Sequence, residues 1–123
     1  MKGTAEHENN LAMAHTWRRV WLALIERRRD VSVRWMLKYQ SLERVDLSAA
    51  HVWRDQHWSM FESVGAIHTA KIGYAAAMRS FYLAMAEGHA GRVAIHKERA
   101  QNYVDKIRSE GPISVATIEE VLA

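Results

Sequence analysis

Apolar residues recur along this chain at intervals of three, four and seven, the signature of a helix surface, and nowhere at the interval of two that a strand needs. The first run, Met13, Trp17, Val20, Leu24, Val31, Trp35, Tyr39 and Leu42, predicts a helix that Thr4 or Asn10 caps and that Glu6 and Glu8 favour through the helix dipole. A second run, Trp53, Met60, Val64, Ile67, Ala75, Met78, Tyr82 and Met85, predicts a second helix capped by Asp46 or Ser48 and ending at Gly88. Val93, His96, Ala100, Val104 and Ile107 mark a third over about 90–109, stopped by "EGP" at 110–112. Val115, Ile118 and Leu122 mark a short fourth, capped by Ser114. The expected fold is all-α: one domain over 1–123, two long antiparallel helices with a shorter third and a short C-terminal helix, residues 1–9 frayed.

Within the first stripe sits Glu26-Arg27-Arg28-Arg29-Asp30. At about 100° per residue Arg28 falls inside the stripe, with Arg27 and Arg29 on either side. Either Asp30 caps a new helix at Val31, which the β-branched Val31 and Val33 favour, or one long helix runs through. The unbroken register from Leu24 to Val31 favours the long helix. Leu22, Val33, Met36 and Leu37 then form a second apolar strip, away from the first and beside basic residues. Such a strip marks an association surface, or a helix buried on two sides.

In the second helix Gly65, Thr69, Gly73 and Ala77 recur every fourth position, with Ala66, Ala70 and Ala76 beside them. A face this bare lets another helix approach closely, within the fold or from a second subunit. Lys71 and His68 in the same stretch oppose a membrane motif.

The formal net charge of +3 is concentrated. Between residues 17 and 44, Arg18, Arg19, Arg27, Arg28, Arg29, Arg34, Lys38 and Arg44 face only Glu26, Asp30 and Glu43, while cations and anions balance over 47–123. A positive field of this kind steers an acidic partner: an acidic protein surface first, nucleic acid as the alternative, or it is a solvated helix face. The chain has no cysteine, so disulfide, thiolate-metal and thiol-nucleophile chemistry are excluded. No signal-peptide pattern and no apolar run of about 18 residues is present, and the expectation is a cytoplasmic protein that does not enter membranes.

Catalytic patterns are weak. There is no His-Glu-x-x-His, no Glu-x-x-His and no glycine-rich phosphate loop among residues that include seven histidines. His51 with Asp55, one turn apart, is the best pair, and reads as a helix-surface hydrogen bond. No enzyme activity, cofactor or metal is expected. Of the five tryptophans, Trp17 and Trp21 share a face while Trp53 and Trp58 point in different directions, so at least one is partly exposed.

"VDKIRSEGPISVATIEEVLA" (104–123) resembles the helix-turn-helix segments of bacterial repressors, in which an apolar helix, a glycine-containing turn and a "SVAT" helix start recur. That resemblance implies a DNA-binding regulator. Glu119 and Glu120 depart from it, since they stand where a recognition helix would meet phosphates. The leading expectation is instead a non-enzymatic adaptor or inhibitor, as in the antagonists that phages and plasmids carry. It docks on an acidic macromolecule through Arg18, Arg27, Arg28, Arg29, Arg34 and Lys38, with Leu22, Val33, Met36 and Leu37 as apolar anchors; self-association is a further expectation.

Overall fold

In a computed structural model the chain is all-α, and residues 4–110 and 115–123 are described, the side chains of 115–117 excepted. Among the described residues four helices follow in order: α1 (Ala5–Val45), α2 (Leu47–Glu87), α3 (Ala90–Ser109) and α4 (Val115–Leu122). The arginine run does not break α1, which continues for 41 residues, about 61 Å of axis.

The caps explain the boundaries. Thr4 Oγ1 accepts from His7 N at 3.1 Å, and His7 Nδ1 donates to Ala86 O on α2 at 2.9 Å. Those two bonds pin the first turn, so residues 5–9, expected to fray, are helical; Asn10 is not a cap but is buried inside α1. Asp46 caps α2 with bonds from Ser48 N and Ala49 N. Gly88 adopts φ 76°, the left-handed conformation that closes a helix end and that side-chain-bearing residues avoid. Ser114, the expected cap of α4, lies outside the described residues.

α1 and α2 form an antiparallel hairpin. His7 meets Ala86, Trp17 meets Tyr74 edge-on at 5.4 Å, and Tyr39 stacks on His51. α3 turns back along the other flank of α2, and no Cα of α3 comes within 8 Å of one in α1. Three helices thus lie in a row with α2 in the middle. A row buries less than a ring of helices: the surface is 8163 Å², against about 6,700 Å² for a compact chain of 14.1 kDa.

The core is correspondingly thin and rich in alanine: Ala14, Ala50, Ala70, Ala75, Ala77, Ala84 and Ala100 are buried. Larger side chains gather where α4 crosses α1 and α2. There Ile118 and Leu122 pack with Val31, Trp35 and Val64, flanked by Trp53, Met60, Phe61 and Val121. Trp53 and Trp58, which leave α2 in different directions, both reach Trp35, at centroid distances of 4.5 and 6.3 Å. Phe61 stacks on Trp35 at 4.3 Å, and Trp58 remains partly exposed. Val20 is exposed, although it belongs to the first stripe, because the side of α1 it occupies is covered by α4 only farther along, around Arg34 and Lys38.

The small-residue stripe divides. At Gly73 the ring of Tyr103 on α3 sits closer than an added Cβ would allow, and Ala77 is buried. At Gly65 an added Cβ would meet nothing within 4 Å, and Thr69 is exposed, its hydroxyl donating to Gly65 O at 2.9 Å. Within the chain, therefore, no helix packs closely on Gly65 or Thr69. The reason is geometric: a period of four overshoots a helical turn by about 40° at each step, so the stripe winds from the α1 side of α2 round to α3.

Candidate functional site

The features of greatest interest lie on α1. Arg27, Arg28 and Arg29, successive residues on one helix, leave it in three directions about 100° apart. Arg28 points along the seam with α2; with Val31, Ser32, Phe61, Glu62, Gly65 and His68 it lines a cleft of about 160 Å³. Arg29 points outward, on the side where Arg18 also lies. Arg27 points toward the side that α4 covers farther along. All three are exposed, as is Arg18, and none of the four has an acidic partner among the described residues.

Arg34 and Lys38 stand differently. Arg34 Nη1 donates to Glu119 Oε2 at 2.7 Å and lies 3.5 Å from Asp30 Oδ2; the Glu119 bond, with Asp30 behind it, holds the guanidinium above its ordinary range. Lys38 Nζ donates to Ala123 O at 3.1 Å. Both cations are engaged in holding α4 on the hairpin. Glu119, conversely, is turned to Arg34, and Ile118 and Leu122 face the core, so this helix packs down along the hairpin.

The second apolar strip is open to solvent: Leu22 is 42 % exposed, Val33 50 %, Met36 60 % and Leu37 58 %. It lies on the side of α1 away from α2. Met36 also forms one wall of a groove of about 360 Å³, with Trp35 and Tyr39 of α1 and Arg54, Trp58 and Phe61 of α2. Arg54 lies 5.9 Å from the Tyr39 ring centroid, near the edge of cation–π range. This groove joins the Arg28 cleft through Ser32 and Phe61, which line both. The spacing of Trp58 and Phe61, three apart beside Arg54, is its only trace in the sequence, and that spacing does not say which α1 residues stand opposite.

Among the described residues His68 is the most fully buried polar side chain, 2 % exposed, and its Nε2 has no hydrogen-bond partner there. Burial pushes its pKa below the ordinary value, and Lys71, Arg27 and Arg28 push it the same way. It is a neutral interior histidine at neutral pH.

Asp55 pairs with Arg54 Nε at 3.2 Å, while His51 stacks on Tyr39, so the sequence pair His51 and Asp55 diverges. Among the described residues no three histidine or acidic side chains stand close enough to hold a metal ion, and no helix is long and apolar enough to cross a membrane. No family model, curated protein or solved structure matches the chain.

Proposed function

We propose that the protein is a non-enzymatic helical docking protein, an adaptor or inhibitor, whose partner is an acidic protein surface met by α1. One observation carries this reading: Arg18, Arg27, Arg28 and Arg29 form no ion pair within the molecule among the described residues, and they flank the exposed Leu22, Val33, Met36 and Leu37. Unpaired cations rimming apolar side chains combine the two requirements of association, long-range attraction and buried contact. Arg34 and Lys38 drop out of the recognition set, because α4 already occupies them.

The test is affinity capture from nuclease-treated lysate, with the wild-type chain and an Arg27→Glu/Arg28→Glu chain as baits. A specific protein should be held by the wild type, released by moderate salt and absent from the variant, with the loss mainly in association rate. Equal capture by both baits would end the reading. Capture seen only in a parallel untreated lysate would point instead to nucleic acid, where affinity falls steeply with salt.

A further inference from the structure

We infer that the outward strip of α1 is the interface of a homodimer in which α1 crosses its copy antiparallel, Leu22 facing Val33 of the partner subunit and Glu26 facing Arg29 of the partner subunit. The inference rests on the reading of this strip as a contact surface; with the strip closed by the copy, Arg27 and Arg28, which leave α1 on other sides, remain to meet an acidic protein.

Area is the first ground. The chain exposes about 1,400 Å² more than a compact chain of its mass, and a standard stable interface takes about 800 Å² from each partner. Much of that excess follows from the row arrangement, which leaves the outer side of α1 with no neighbouring helix between Leu22 and Leu37. The strip there advances by three or four residues at a time, through Leu22, Glu26, Arg29, Val33 and Met36, so it stays on one side of the helix over several turns.

Charge supplies the second ground and selects a copy over another partner. The strip carries an acid and a base at its centre, Glu26 and Arg29, and neither has an ion-pair partner within the chain among the described residues. A uniformly acidic surface would satisfy Arg29 and repel Glu26. A twofold axis passing between Arg27 and Arg28 brings each Glu26 to the partner's Arg29 and each Leu22 to the partner's Val33. The same register lays the aliphatic stem of Arg18 along the partner's Leu37. An isologous contact requires this self-complementarity. Parallel pairing in register fails it, because Arg29 would then oppose Arg29.

Sedimentation equilibrium of the full chain tests the inference. The wild type should dimerise in the micromolar range, and Val33→Glu should weaken the dimer at least about a hundredfold, since the axis duplicates each uncompensated buried carboxylate. Circular dichroism should be unchanged, because Val33 is half exposed in the single chain. Glu26→Arg and Arg29→Glu should each be monomeric alone. An equimolar mixture of the two should form a heterodimer, because both arginines of one chain then face both glutamates of the other. A wild type monomeric throughout that range, a dimer indifferent to Val33→Glu, or a mixture that stays monomeric would each overturn it. The Arg27→Glu/Arg28→Glu chain changes residues beside the axis but off the strip. It should still dimerise, so loss of partner capture and loss of the dimer are separate results.

Discussion

α1 and α2 are both 41 residues long, yet α2 is flanked by three helices while α1 has α2 along one side and α4 over a short stretch. The sequences match those positions. α2 uses alanine and glycine where neighbours press on it, with Ala50, Ala70, Ala75, Ala77 and Ala84 buried, and a central helix must be slender for others to pack on opposite sides. α1 instead keeps large apolar and cationic side chains on its free side. One helix organises the fold, and the other presents a surface. The same number of residues therefore carries very different sensitivity to substitution.

That contrast should be widest where α4 seals the hairpin. Ile118 is fully buried, and Ile118→Ala should destabilise by about 2–5 kcal/mol in denaturant unfolding, through lost burial and the cavity left behind. Tryptophan emission should shift to the red as Trp35 gains solvent. A cost below about 1 kcal/mol would mean that α4 contributes little to the core.

Within α2 the two helical glycines should respond with opposite signs. Gly73→Ala puts a methyl group where the Tyr103 ring lies, and overpacking costs about 1–3 kcal/mol. Gly65→Ala meets open space and should gain up to about 1 kcal/mol from helix propensity. Melts that move the same way in both variants would refute the winding of the stripe. A Tyr103→Leu change in the Gly73→Ala background should recover part of the loss.

On α1 the expected effects on the single chain are small. Leu37→Glu and Arg27→Glu/Arg28→Glu should each stay within about 0.5 kcal/mol of wild type, measured where the chain is dilute, because exposed positions contribute little to stability. A loss above about 1.5 kcal/mol in either would show that α1 is buried in a way this fold does not contain.

The comparison also shows what residue order encodes. Helix type, number and ends follow from periodicity and capping chemistry, and α3 spans the same residues as its apolar pattern, 90–109. Asp46 and Gly88 act where they do because an acceptor side chain and a left-handed glycine serve only helix ends. Which helix faces a given side is a different matter. Arg34 and Glu119 are 85 residues apart, and each reads alone as a solvated charge. Small residues announce that something comes close without saying what, so Gly65 and Gly73 look alike in sequence although only one is covered. The continuity of α1 through its arginines could be inferred because register is a local property. The row arrangement could not, because it depends on α3 choosing the far flank of α2.

His68 of α2 is buried at the seam, with Lys71 on its own helix, Arg27 and Arg28 on α1, and Glu62 of α2 lining the same cleft. Its pKa is lowered in the folded chain, first by burial and then by those cations. Below the unfolded value of about 6.5 the unfolded chain takes up a proton that the folded chain resists, so stability must fall as pH drops through that value. Above it the contribution is fully present. Melting temperature should therefore decline from about pH 7 to about pH 5.5, and His68→Gln should flatten the decline over that interval. Arg27→Glu/Arg28→Glu should narrow the window without abolishing it, because burial, the larger cause, remains. If the decline is as steep in His68→Gln as in wild type, another group governs the acid response and His68 is not held neutral by the seam.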